Sequence, residues 1–444
     1  MKRREFIKKV AATSAGLAIA PYILPSGRLF APSGYRSANH VIMVMFAGGV
    51  RHQESVGMRY LDDSQIGDPY PGNIMYNMLN GAAPTMKIAY GTGEGGELPI
   101  PAILSQTLQS QGTLFSEMQA LSAGHYGGLN SILQGGLVSA QGLRQRPVNP
   151  TIFEYLRRHG GYAASDVWFV GNGIGGSTPL LNYSGNPDYG IQYGANFFAP
   201  GTTFGEEGFN YLADAKVYHP ENELAPMYAM KAFLDNTFAQ FGQSQQSLGN
   251  TEEEKQNIKL FMDAMYEKVA NGTLALPPVT DNGDLYTMAF ACEVMKWFKP
   301  AFMAVNLSAV DTCHSNFTGY VAAMHRADHA VGHLWNYLQT EIADIANDTT
   351  IICLPECGRN DEPNAITDIN GWNAYDHSDE NALRIWSMMV GPGVPSNLTL
   401  GSEGNPVGLV SDAMLAVAEI LGVKTDVMNA GYLAPGTLSL FDHF

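Results

Sequence analysis

Six short apolar runs recur along the chain, with helical stretches between most of them, and this alternation restricts the fold more than any other feature. Val41–Phe46 is the first run and ends in Ala47-Gly48-Gly49; Leu114–Leu121 is the second. Asp166–Val170, Phe302–Leu307, Ile351–Leu354 and Ile385–Val390 follow, the last stopping at Gly391-Pro392-Gly393. Apolar runs of this length, bounded by glycine and proline, read as buried strands. Asn149-Pro150-Thr151 reads as a cap with proline at the first helical position, opening a helix through Arg158. Further helices are expected over Thr251–Val269, Leu285–Phe298, Tyr320–Ile345 and Ser411–Leu421. Strand and helix in alternation imply an α/β fold, a mostly parallel sheet with helices on both faces. Loops that follow parallel strands collect on one edge, which is where such sheets bind their ligands.

A chain of 444 residues, 45% hydrophobic and 15% charged, can bury a large core. A single domain over 39–444 is expected. Residues 171–250 are richer in Gly, Asn, Tyr and Phe than the rest and read as an insertion or cap over the sheet. The formal charge is −17, and the basic groups cluster near the start, so the body is more acidic still. Such a surface repels phosphate backbones, which excludes nucleic acid as a partner. Four cysteines are too few for a disulfide framework. An extended strand sets Cys353 and Cys357 about 13 Å apart, beyond the reach of a bridge.

The first 30 residues read as an address. Lys2, Arg3, Arg4, Lys8 and Lys9 precede a mild apolar stretch broken by Thr, Ser, Gly and Pro. The string Arg3-Arg4-Glu5-Phe6-Ile7-Lys8 resembles a twin-arginine export signal, with cleavage near Ala20 or Ala31. The expected location is the periplasm or cell surface, reached through the export machinery. The apolar part is too short and too interrupted to span a membrane, and no later segment looks like a membrane helix.

Chemistry-bearing side chains cluster at the strand ends. Asp311, Cys313 and His314 follow the fourth run, and Glu356 and Cys357 the fifth. Asp376, His377 and Asp379 precede the sixth, while Ser122 and His125 follow the second. If the sheet is parallel these loops converge. Carboxylate, imidazole and thiolate together are what a transition metal such as zinc needs.

In order along the chain, these segments resemble the alkaline phosphatase superfamily, and within it exported sulfatase-like proteins of the DUF1501 kind. NLSAVDTCHSN resembles a segment with an Asp and a His metal ligand, and YDHSD the final metal histidine. DTTIICLPECGRN resembles a strand that ends in Asp-His-Gly, and LVSDAMLAVAEILGV a helix near the end. Upstream, VIMVMFAGGVR resembles a first strand ending in Asp-Gly, and FSEMQALSAGHYGGLNSILQGG the segment that carries the nucleophile. The resemblance implies that Asp311, His314 and His377 hold one metal. Glu356 and Cys357, with His125, would be what remains of a second site. It departs in three places: Ala47 or Gly48 stands where the first-strand Asp is expected, His125 near the nucleophile, and Glu356-Cys357 for Asp-His. The implied cofactor is a divalent metal, zinc, with calcium as the alternative. The implied substrate is a small-molecule or glycan ester. Cys357 could serve as a metal thiolate or pair with Cys313 in a disulfide, since an exported protein is oxidised. The implied function is an exported metal-dependent hydrolase of phosphate or sulfate esters, with His125 as the catalytic group. The alternative is a catalytically silent relative that binds or scaffolds at the cell envelope.

Overall fold

A computed structural model describes residues 22–23, 29–30, 37–59, 72–83, 99–137, 146–171, 174, 180–204, 248–277 and 283–444. The export segment lies outside them, apart from a two-residue antiparallel ladder between Tyr22–Ile23 and Leu29–Phe30. Ala20, Ala31 and much of 171–250 also lie outside.

The expected runs become strands, and two short ones join them. β1 (His40–Phe46), β2 (Thr113–Gln119), β3 (Val167–Gly171), β4 (Asn196–Phe198), β5 (Phe302–Leu307), β6 (Thr349–Pro355), β7 (Arg384–Val390) and β8 (Leu398–Leu400) form one sheet. Their order is β8-β2-β7-β6-β1-β5-β3-β4. Every neighbouring pair is parallel except the two that β7 makes, with β2 and β6. The fold is therefore α/β with a mostly parallel sheet. β4 falls within the stretch read as a cap and pairs with β3 at the sheet edge.

β1 shows why both faces must be covered. All seven of its residues are buried, and alternate side chains point to opposite faces. Val41, Met43 and Met45 pack with α1 (His125–Gln134), α2 (Ile152–Arg158) and, near the end of the chain, α6 (Asp412–Ile420). Ile42, Val44 and Phe46 pack with α3 (Glu252–Asn271), α4 (Gly283–Phe298) and α5 (Phe317–Glu341). Two helix starts differ from the sequence reading. Thr151, not Asn149, caps α2, and the Glu154 carboxylate accepts from its N–H and hydroxyl at 2.7 and 2.9 Å. α5 begins earlier, because Asn316 accepts from Gly319 N at 2.8 Å, and it stops at Glu341 before a separate turn, Ala343–Ala346.

One buried histidine of α5 ties two loops to the core. His325 Nδ1 donates to Ile74 O at 2.8 Å, and Nε2 accepts from Ile100 N at 3.2 Å. A proton on Nε2 would break the second bond inside the core. Burial, helped by His329 and Arg326, pushes its pKa down to about 3 from 6.5. A depressed histidine favours the fold above its unfolded pKa, so this contribution is complete above 6.5 and is lost as pH falls toward 3. The slope across that window is about 1.4 kcal/mol per pH unit. Denaturant titrations near pH 7 and near pH 4.5 should show a steeper loss in the wild type than in His325→Gln; equal slopes would remove the assignment.

Candidate functional site

Five segments meet at the carboxyl edge of the parallel strands. Gly48 and Gly49 follow β1, His125 opens α1 after β2, and a short helical turn after β5, Ala309–His314, carries Asp311 and His314. Glu356, Cys357 and Arg359 follow β6. β7 runs the other way, so Asp376 and His377 reach the same edge by preceding it.

The side chains form a gradient from floor to mouth. Glu356 and Cys357 are wholly buried. The His125 and Asp311 side chains are 13% and 19% exposed, and those of His314 and Asp376 36% and 47%. On the floor, the Glu356 carboxylate accepts from Gly48 N at 2.6 Å and faces His125 Nδ1 at 2.8 Å. The other nitrogen of His125 stands 2.9 Å from Asp311 Oδ1 and 3.4 Å from His314 Nε2. His314 Nδ1 bonds Asp376 Oδ1 at 2.6 Å. The His377 ring lies 4.1 Å from that of His125 and 4.9 Å from that of His314, centroid to centroid. Its Nδ1 is buried without a hydrogen-bond partner. The Cys357 sulfur is 3.9 Å from His125 Nδ1.

These contacts set the charges. Burial opposes a charged His125, but hydrogen bonds to Asp311, Cys357 and Glu356 outweigh it and its pKa is pushed up to about 12. His377 goes the other way: burial first, then the positive neighbours His125 and Arg359, bring it down to about 4, so it is neutral at pH 7. Burial would raise Asp311, yet its bond to His125 and the field of that ring and of Arg359 hold it below the usual carboxylate range. Burial, with Glu356 beside it, pushes the Cys357 thiol up to about 11.

The donor set fits a divalent cation. Ligand atoms of His125, His314 and His377 lie within 4.8 Å of one another, as do those of His125, Glu356 and Cys357. The unpartnered, neutral nitrogen of His377 is the form of imidazole that binds a metal. The first group, with Asp311 beside it, faces the mouth, and the second is closed on the floor. His125 belongs to both.

Two glycines show why the chain approaches this closely. Gly48 has φ +126°, and a Cβ there would lie 2.4 Å from Asp311 N. No side chain fits at Gly48, which is a physical reason for the missing carboxylate at that position. On α1, a Cβ at Gly128 would meet Glu356 O at 2.5 Å, so the helix that presents His125 rests directly on the β6 loop.

Other residues named from the sequence lie apart. Asp379 caps a turn, its carboxylate accepting from Ala382 N at 3.2 Å and Asp361 N at 2.9 Å. Ser122 accepts from Gly124 N at 3.0 Å. Cys313 and Cys357 are both free thiols, so the disulfide alternative is not formed. Cys313 belongs to the core on the α5 side with Val310 and Phe317, while the Cys357 sulfur approaches His125. Asp412, at the start of α6, pairs with His443 at 2.8 Å. Sequence reasoning missed Arg359, a fully buried cation. It also left the Asp376–His314 bond unread. The visible hint was Asp376 standing next to His377.

No family model matches the chain, and no curated protein matches it. Among solved structures it is similar to a protein in the alkaline phosphatase superfamily from Vibrio parahaemolyticus, at 11% identity and TM-score 0.39 over 95% of this chain and 76% of that one. It is also similar to the lipoteichoic acid synthase LtaP from Listeria monocytogenes, at 12% identity and TM-score 0.37, over 98% of this chain and 80% of that one. The sulfatase PsFucS1 from Pseudoalteromonas sp. aligns at 12% identity and TM-score 0.40, over 90% of this chain and 73% of that one. No helix among the described residues is long and apolar enough to cross a membrane.

Proposed function

We propose that the chain is a divalent-cation-dependent hydrolase of phosphate or sulfate esters, exported by the twin-arginine route to the periplasm or cell surface. The observation that carries this is the mouth-facing group, Asp311, His314 and His377, beside a histidine that a buried carboxylate orients. The substrate class is a small-molecule or glycan ester. Glu356 and Cys357 are the remaining candidate metal ligands. The two imidazoles of His314 and His377 suit zinc better than calcium, which prefers oxygen. Such an ion supplies Lewis acidity toward a phosphoryl or sulfuryl oxygen.

The rest is the work of the chain's own side chains. Gly48 N holds the Glu356 carboxylate, and Glu356 holds His125 through Nδ1. A fixed acid that orients an imidazole is the arrangement that activates a base or nucleophile. Nε2 then points into the group of Asp311 and His314. In the proposed reaction the Nε2 proton passes to Asp311, and the lone pair so freed attacks phosphorus or sulfur as the bond to the alcohol oxygen breaks. The alcohol leaves with that proton, and water then hydrolyses the nitrogen-linked group and returns a proton to Nε2. Attack requires that the Asp311–His125 bond be given up. Asp376 keeps the His314 ring in place through Nδ1.

That Asp311–His125 bond is also what favours a second reading, a silent relative that binds or scaffolds at the envelope. Both His125 nitrogens face carboxylates, so the ring is neither free base nor free ligand in this arrangement. Metal analysis with a chromogenic ester assay separates the two. His377→Ala should remove most of the bound cation and the hydrolysis with it. Unchanged turnover would end the hydrolase assignment; bound cation without turnover in the wild type would favour the silent relative.

A further inference from the structure

A buried acid outside the cluster holds the segment that delivers two of its members. Asp284 lies in the first turn of α4 and is 3% exposed. Its carboxylate accepts from Ser308 N at 2.8 Å and from Ala309 N at 2.9 Å. Those two residues join β5 to the turn Ala309–His314, which carries Asp311 and His314. Ser308 gives that turn no side-chain cap of its own, so the cap comes from another element. α4 is itself held against β5, since Leu285 and Met288 share a core with Met303 and Val305. The turn then closes on the capped residue, Asp311 N donating to Ser308 O at 3.2 Å. Burial pushes the Asp284 pKa up to about 6 against the pull of the two N–H groups, so it is chiefly the anion at pH 7.

We propose that Asp284 is a positioning residue of this site: by capping the turn after β5 from α4, it presets Asp311 and His314 for the cation. The proposal rests on the hydrolase reading for that ion and adds a residue that acts only through the turn. A carboxylate has only acceptors, which suits two N–H groups arriving side by side. Asparagine, of the same shape, must aim its own N–H2 at one of them, and the turn relieves that buried mismatch by moving off. Asp311 and His314 are three residues apart on this one turn, with 3.4 Å between Oδ1 and Nε2, so a shift at Ser308 and Ala309 moves both. From the other side β1 already abuts the turn, since a Cβ at Gly48 would lie 2.4 Å from Asp311 N. A metal ion needs its donors at fixed distances, and donors set in advance need not be ordered on binding.

The test reads ion binding without needing turnover. Cobalt(II) is titrated into ion-free wild type, Asp284→Asn and Asp412→Asn, and affinity and visible spectrum are recorded. Asp412 is the control because it too is a buried aspartate that accepts from two backbone N–H groups, those of Leu409 and Leu438, each at 3.0 Å. Both substitutions should lower the unfolding midpoint. Only Asp284→Asn should weaken cobalt binding, by about 10- to 100-fold, and alter the d–d bands that report ligand geometry. Unchanged affinity in a folded Asp284→Asn would overturn the proposal and leave the hydrolase reading standing. An equal loss in Asp412→Asn would also overturn it, because the effect would then be general loosening. If either variant fails to fold, hydrogen exchange of the wild type decides. The Ser308 and Ala309 amides should exchange as slowly without cobalt as with it; rapid exchange before the ion is added would show that nothing is preset. A wild type that binds no cobalt would instead end the hydrolase reading, and this proposal with it.

Discussion

His125→Gln is expected to lower ester turnover by roughly 10³- to 10⁴-fold while leaving the bound cation in place. Glutamine is close in reach and can still bond Glu356, so the floor stays packed. What is lost is the Nε2 lone pair. Asp311, His314 and His377 are untouched and remain to hold the cation at the mouth. The expected loss corresponds to about 4–5.5 kcal/mol of transition-state stabilisation. Single-turnover kinetics together with ion content check it. A loss of less than about tenfold would make the ring a spacer and not the attacking group. An ion content that falls in step with activity would make His125 a ligand.

The second large effect is on the fold itself. Gly48→Ala places a methyl group 2.4 Å from the Asp311 backbone nitrogen, at φ +126°. Strain at such a backbone angle and overpacking each cost about 1–3 kcal/mol, so a destabilisation of about 3–5 kcal/mol is expected, a large part of a protein's usual 5–15 kcal/mol. The contact falls on backbone, which cannot swing aside as a side chain could. Gly185→Ala is the control, since its Cβ would meet nothing closer than Pro147 O at 3.8 Å. Denaturant unfolding of both variants is the measurement, and a Gly48→Ala within about 0.5 kcal/mol of wild type would show that the turn relaxes. The same contact argues that Gly48→Asp would not rebuild a first-strand carboxylate site.

The framework could be read because strands buried on both faces are continuous apolar runs, and all six runs enter the sheet. The two strands that went unread, Asn196–Phe198 and Leu398–Leu400, are three residues each, too short for any periodicity to emerge. Strand direction was also invisible, since an apolar run looks the same either way. The reversed β7 changes which of its flanks reaches the site. His125, Asp311, His314, Glu356, Cys357 and His377 stood out as donor types at strand ends, and their side chains lie within one cluster of hydrogen bonds and ring contacts. Arg359 did not stand out, because an arginine just after a glycine looks like a solvated turn. Only the fold shows that carbonyls surround it. Ala47 or Gly48 likewise read as the place of a lost acid, and at Gly48 the constraint is the backbone of Asp311 behind it.

The reversed strand also sets an order of assembly. β2 touches the sheet only through β7 on one side and carries the edge strand β8 on the other. A segment made early in synthesis must therefore wait for one made late before it has a place to dock, and long waits of this kind slow folding. The wall that carries His125 and the loop that carries His377 become fixed in the same event, the insertion of Arg384–Val390 between its neighbours. A chain ending before Arg384 would lose the joint between its early and late halves, and such a fragment has no path to a finished pocket.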